Sequence, residues 1–81
     1  CSCAGIDQKG VYEASLSQAL AKKKLMEQAD KMILLVDDSK FNTNHFFRIS
    51  ELQDYEAIIT NQEPPNEYLT LAEENEIEFL W

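Results

Sequence analysis

Met32-Ile-Leu-Leu-Val36-Asp-Asp-Ser-Lys40 decides how the chain is read. An unbroken apolar run from Met32 to Val36, with charge on either side, is the pattern of a strand buried on both faces, as strands are in a parallel sheet. The run stops at Asp37-Asp38-Ser39-Lys40, which places a polar loop at the carboxyl end of that strand.

Upstream, Val11 to Ala29 contains no Gly or Pro and reads as helix from about Ser15. Leu16, Ala19, Leu20, Leu25, Met26 and Ala29 fall on one arc at helical spacing, broad enough to be covered on more than one side. Lys22 and Lys23 lie inside this arc and Lys24 outside it. A lysine on an apolar arc ordinarily snorkels and otherwise reaches a ligand or a buried acid, and periodicity does not choose between Lys22 and Lys23.

Further upstream, Gly5 and Gly10 bracket the polar turn Ile6-Asp7-Gln8-Lys9, and Cys1-Ser2-Cys3-Ala4-Gly5 reads as the tail of a buried strand. Cys1 and Cys3 are too close in sequence for an easy mutual disulfide, and with only His45 to add they make no full zinc site. Small buried strand residues are the expectation for both.

Downstream, His45-Phe-Phe-Arg-Ile49 is a short strand or an irregular crossing segment, and Ala57-Ile-Ile-Thr60 is a second short strand ending at Asn61-Gln62. Pro64-Pro65 with Glu67 starts a helix that runs to about Asn75 with Tyr68, Leu69 and Ala72 inward. Ile77 to Trp81 forms the last strand. The expected fold class is α/β, a small parallel sheet with flanking helices.

Eighty-one residues leave room for one domain with a modest core. The chain opens on Cys1 instead of Met, as expected of a piece of a longer protein. Fifteen acidic residues against seven basic ones give a formal charge of -8, which repels a phosphate backbone, so this segment is not expected to bind DNA itself. No apolar run is long enough to span a bilayer, and a cytoplasmic location with no membrane partner is the expectation. Leu16, Leu20, Met26, Phe79 and Trp81 supply more apolar surface than so short a chain covers, which predicts a homo-oligomer or marginal stability.

Ligands of open parallel sheets collect beyond the carboxyl ends of the strands, where loops converge with free backbone N–H groups. Asp37, Asp38, Ser39 and Lys40 sit at one such end, and Thr60, Asn61 and Gln62 at the next. A lysine there can neutralise a phosphate, the serine and loop amides can hydrogen-bond it, and a carboxylate can take sugar hydroxyls. A solvated turn whose Asp caps a local N–H accounts for the same residues.

Lys22-x-x-Leu25-x-x-x-Ala29 followed by Ile33-Leu-Leu-Val-Asp-Asp-Ser-Lys-Phe41 resembles the C-terminal sensor domain of the DeoR family of repressors. The likeness continues through Gly5-Ile-Asp7 and Gly10-Val11 upstream, and through Arg48-Ile-Ser-Glu-Leu52, Ala57-Ile-Ile-Thr60 and the last helix and strand downstream. The resemblance implies a ribose-5-phosphate-isomerase-like fold and a phosphorylated sugar as effector, with no cofactor. It also implies an N-terminal winged helix-turn-helix, absent from these residues, through which alone DNA is bound. Residues 1–81 would then be the C-terminal fragment of one sugar-phosphate-sensing domain, with Lys40, Lys22, Asp38, Ser39 and Asp7 as effector-binding candidates.

The same comparison bears on catalysis. Where the isomerases carry two functional aspartates this chain aligns Cys1 and Ala4, and where they carry a general-base glutamate it aligns Lys22, whose protonated amine is no base. A sensor that is not an enzyme is expected; the alternatives are an isomerase or aminosugar-phosphate deaminase fragment and a purely structural dimerisation module. Ile33-Leu-Leu-Val-Asp-Asp-Ser39 also looks like the first strand of a response-regulator receiver. Asn61 stands where that family needs its phosphoacceptor aspartate, and the later strands are missing.

Overall fold

The computed structural model describes residues 1–81. Its elements are β1 (Gly5–Asp7), β2 (Gly10–Glu13), α1 (Leu16–Gln28), β3 (Ile33–Leu35), β4 (Phe47–Ser50), β5 (Ala57–Ile59), α2 (Asn66–Glu74) and β6 (Glu78–Leu80). Strands β3, β5 and β6 form a parallel sheet in the order β3-β5-β6, with Leu35, Ile59 and Leu80 in one row and Leu34, Ile58 and Phe79 in another. This is the sheet that the apolar runs predict. A second, antiparallel sheet has the order β1-β2-β4 and settles the segment around His45–Ile49 as a strand from Phe47.

The hairpin of β1 and β2 closes through Gln8-Lys9, with Asp7 opposite Gly10. Asp7 Oδ1 accepts from the backbone N–H of Lys9 (2.8 Å) and of Gly10 (3.1 Å), and from the Tyr12 hydroxyl (3.0 Å), so one carboxylate stabilises the whole turn. Gly10 is required by close approach: a Cβ there would overlap the Ser50 carbonyl oxygen on β4 and the Arg48 side chain.

The opening segment lies beside β3. The Cys1 amine donates to the Ile33 carbonyl (3.1 Å) and Leu35 N–H donates to the Cys1 carbonyl (2.7 Å), the bonding pattern of a parallel neighbour. The strand-like expectation for these residues holds in its pairing and fails in its burial. Cys1 and Ser2 are exposed and Cys3 is half-buried, because nothing in this chain covers that edge, and both thiols are free.

The core gathers Ile6, Val11, Leu34, Leu52, Ile58 and Tyr68 from both sheets, from the short helical turn after β4 and from α2. Tyr68 and Ala72 of α2 are buried as their spacing predicts, and Leu69 is half-buried. Two expectations of wider burial are corrected. In β3 only Leu34 is buried, while Ile33 and Leu35 are 44% and 53% exposed: α2 covers one face of the parallel sheet, and α1 packs on β2 and β4 instead of on the other face. For the same reason the apolar arc of α1 contracts to a seam of Ala19, Lys22 and Met26, leaving Leu16, Leu20 and Leu25 exposed. No helix is long and apolar enough to cross a membrane.

Tyr68 also ties the two halves together. Its hydroxyl accepts from Asn42 N–H (3.1 Å) and donates to Asn42 Oδ1 (2.8 Å), and its ring meets Phe41 edge-on with centroids 4.8 Å apart. Asn42 sits at φ 59°, a left-handed conformation that asparagine tolerates better than most residues. Phe41 in turn bridges to Ile6 of β1.

Replacing Gly10 with Ala is expected to destabilise the fold by about 1–3 kcal/mol, the range for overpacking, as read from the denaturant midpoint. Alkaline stability should report on Tyr55, whose hydroxyl is 2.8 Å from Ser50 Oγ in the core and whose pKa burial pushes up from 10.0 to about 12. The native state keeps that proton after the unfolded chain has lost it. Stability is therefore full below about pH 10 and falls as pH rises towards about 12. In Tyr55→Phe, denaturant titrations over this interval should give a flatter slope of stability against pH, even if the variant starts from lower stability.

Candidate functional site

The carboxyl ends of the parallel strands bring together three loops. After β3, Asp37 begins a short helical turn and accepts from Ser39 N–H (2.9 Å) and from the Ser39 hydroxyl. These hydrogen bonds hold the Asp37 carboxyl below the usual carboxylate range. After β5, Asn61 locks to the neighbouring loop from both ends of its amide: Oδ1 accepts from Asp38 N–H (2.8 Å) and Nδ2 donates to Asp38 Oδ1 (3.0 Å). The third loop is Ser2-Cys3, which follows the segment paired with β3.

Lys22 reaches this same end from α1. It lies on the buried seam, which decides between it and Lys23, whose side chain is exposed. Lys22 Nζ donates to the Ser2 carbonyl (2.6 Å) and to Glu13 Oε2 (2.5 Å), with only 14% of the lysine side chain and 8% of the glutamate side chain exposed. Glu13 is buried because it ends the central strand of the antiparallel sheet beneath α1. A buried carboxylate needs a partner, and Lys22 is that partner.

Cys3 marks where the charges meet. Its thiol is pushed up to about 11, first by burial and then by the Glu13 carboxylate, while Lys22, a hydrogen bond from Gly5 and Lys40 act in the opposite sense. Lys22 and Lys40 are therefore both close enough to Cys3 for their charges to be felt there, and near neutral pH the thiol is uncharged. Lys40 is half-buried, and its side chain makes no hydrogen bond or ion pair, so its ammonium is free to take an anion.

The sequence candidates thus separate. Lys40, Asp38 and Ser39 share one loop, and Lys22 joins them through Ser2 and Cys3. Asp38 has one carboxylate oxygen held by Asn61, and the single hydroxyl proton of Ser39 is committed to Asp37. Asp7 stands apart: its Oδ1 organises the hairpin turn, and it lines a separate hollow of about 470 Å³ with Lys9, Tyr12, Asn42 and Asn44. Glu13 and Cys3 carry no functional signal in the sequence, since neither belongs to a recognisable motif and each matters only through what it touches.

A larger hollow, about 750 Å³, lies at the opposite, amino ends of the parallel strands. Its rim carries Glu27, Asp30, Asp54, Glu56 and Glu76 against Lys23 and Lys31, an acidic surplus that disfavours a phosphate. Volume and charge point to different ends of the molecule here, and for an anionic ligand charge decides. Nowhere do three His, Cys, Asp or Glu side chains gather closely enough to hold a metal ion.

The chain is 30% identical over 76 residues to the HTH-type transcriptional repressor GlcR of Bacillus subtilis (strain 168), covering 94% of this chain and 30% of that protein. It is 39% identical over 61 residues to the HTH-type transcriptional regulator YulB of the same organism, covering 74% of this chain and 24% of that one. With the L-fucose operon activator of Haemophilus influenzae (strain ATCC 51907 / DSM 11121 / KW20 / Rd) it shares 30% identity over 77 residues, 94% of this chain and 31% of the activator. The chain therefore spans roughly a quarter to a third of the length of these relatives. A family model described as the DeoR C terminal sensor domain matches residues 1–62, which contain β1 to β5 and every residue of the rim described above. These relatives are named as transcription regulators and not as enzymes, and the chain belongs to the DeoR C-terminal sensor domain family.

Proposed function

We propose that this chain senses a phosphorylated sugar or a related metabolite at the carboxyl ends of β3 and β5, and relays its presence to an attached DNA-binding domain. The observation that carries this reading is Lys40 with its ammonium unpaired in the turn after β3, at the strand end that Lys22 also reaches through Ser2, with Asp38 and Asn61 in the adjoining loops. Lys40 would take the phosphate, and the unused oxygen of Asp38 would accept from sugar hydroxyls. Ser39 would contribute its hydroxyl proton only after leaving Asp37.

The relay follows from linkage. An effector changes DNA affinity only if it binds more tightly to one of two arrangements of the regulator, and the shift equals that difference in affinity. The relatives are named as HTH-type regulators, and the chain matches less than a third of their length, which supports a helix-turn-helix outside these residues. They include both a repressor and an activator, so effector binding either releases or recruits DNA. Self-association is part of the same proposal, supported by the exposed row of Leu35, Ile59 and Leu80 on the uncovered face of the parallel sheet.

Lys40→Ala is expected to weaken binding of the preferred sugar phosphate by about 1.5–3 kcal/mol, the range for a hydrogen bond to a charged group. Calorimetric titration with a panel of sugar phosphates checks this, with Lys23→Ala as the control that should bind like wild type. Equal affinity in wild type and Lys40→Ala would remove the phosphate role. A duplex DNA titration of the 81-residue chain at moderate salt should show no tight binding, given its formal charge of -8. Tight binding would contradict the division of labour.

A further inference from the structure

Glu13 carries a charge into the interior and uses only half of it. Oε2 is engaged by Lys22, whereas Oε1 has no hydrogen-bond partner. No side-chain oxygen or nitrogen in the structure is sealed from solvent without a partner, so Oε1 opens onto accessible space despite the 8% exposure of the side chain as a whole. Lys22 is its counterpart. Of the three protons on Nζ, one goes to Glu13 and one to Ser2, which leaves a third unspent.

The pair therefore presents one free acceptor beside one free donor, with no net charge, next to the uncharged thiol of Cys3. A phosphate is a poor match for this feature, because its oxygens only accept and its charge would face the Glu13 carboxylate. An alcohol is a good match, since a hydroxyl both donates and accepts.

We infer that Glu13 and Lys22 act together as the hydroxyl-reading end of the site: Glu13 Oε1 accepts from a ligand hydroxyl and Lys22 donates to the same or an adjacent ligand oxygen. The pair then selects polyol phosphates over bare anions, and the anionic charge is left to Lys40. This rests on the sugar-phosphate reading of the site and adds a specificity determinant to it, since a bare ammonium at Lys22 would favour any anion. Glu13 is a ligand-touching residue in this account, and it also holds Lys22 in place.

The test compares ligands that share an anion and differ in hydroxyls. The 81-residue chain is titrated calorimetrically with a panel of hexose and pentose phosphates and with methyl phosphate as the hydroxyl-free reference. Wild type is expected to prefer its best sugar phosphate over methyl phosphate by about tenfold or more, because a site built to hydrogen-bond a hydroxyl discriminates strongly against its absence. In Glu13→Gln the preference should collapse to within about threefold, while methyl phosphate binds as well as before or better once the neighbouring negative charge is gone.

A merely structural Glu13 would lower both affinities by the same factor, and that result overturns the inference, as does an undiminished preference in the variant. Should Glu13→Gln fail to fold, the wild-type protein supplies a second readout. The carboxyl carbon resonance of Glu13 should move on saturation with the sugar phosphate and stay in place with methyl phosphate; equal movement, or none, overturns the inference. Binding of neither ligand to wild type would overturn the sugar-phosphate reading and this inference together. Binding with a preference indifferent to Glu13 overturns only the latter.

Discussion

Residues 1–7 belong to both sheets, and the arrangement of the rim depends on that shared membership. Cys1 pairs with β3 on the parallel side, Ala4 N–H donates to the Tyr12 carbonyl on the antiparallel side, and the Ile6 carbonyl accepts from Thr43 N–H. Between these anchors Ser2 and Cys3 have little freedom, because backbone hydrogen bonds fix the chain on either side. That is why a carbonyl from Ser2 is available to hold Lys22, and why the Cys3 thiol sits where the charges of Lys22, Glu13 and Lys40 are all felt. Loss of the strand pairing at either anchor would disperse the site even with every side chain intact.

The loop after β3 is held with similar economy. Asn61 fixes Asp38 from the β5 side, Asp37 holds Ser39 from within, and Tyr68 of α2 grips Asn42 just past Lys40. Lys40 is the one member of that loop whose charged group is left wholly uncommitted, on a backbone that these bonds hold in place. A ligand arriving at this rim meets a largely preformed backbone and one free cation, so little ordering entropy opposes its binding. Movement of Phe41 would be felt at once by Ile6 and by Tyr68, which gives the rim a packed route to both sheets and to α2.

Residue patterns make one half of this fold plain and hide the other. Parallel strands announce themselves because continuous apolar runs such as Ile33–Val36 and Ala57–Ile59 have few other uses, and Pro64-Pro65 punctuates the helix that follows. The hairpin of β1 and β2 is opaque, since strands of three and four residues are too short for alternation to stand out from a polar turn. Periodicity narrows the inward lysine to Lys22 or Lys23, and only the seam through Ala19 and Met26 decides. It also overstates burial, because an apolar arc records what would accept cover and not what this chain provides, as Leu16, Leu20 and Leu25 demonstrate. Glu13 is invisible for a different reason: an isolated acid between Tyr12 and Ala14 is ordinary until Lys22 is found against it. Family resemblance supplies Lys22 and Lys40 together, and the geometry adds the carboxylate that changes what Lys22 means.

The unequal burial of the two lysines has a consequence for how the rim responds to its medium. Dissolved salt screens charges across about 8 Å at physiological ionic strength, and it acts far more on groups that touch water than on a pair enclosed by protein. Lys40 is half-buried and unpaired, whereas Lys22 and Glu13 are enclosed and neutral as a unit. Rising ionic strength therefore weakens the pull of Lys40 on anions more than it weakens the contact between Lys22 and Glu13. Under the proposed sugar-phosphate reading, such a division would tie recognition to ligand hydroxyls and not to the commonest charge in solution.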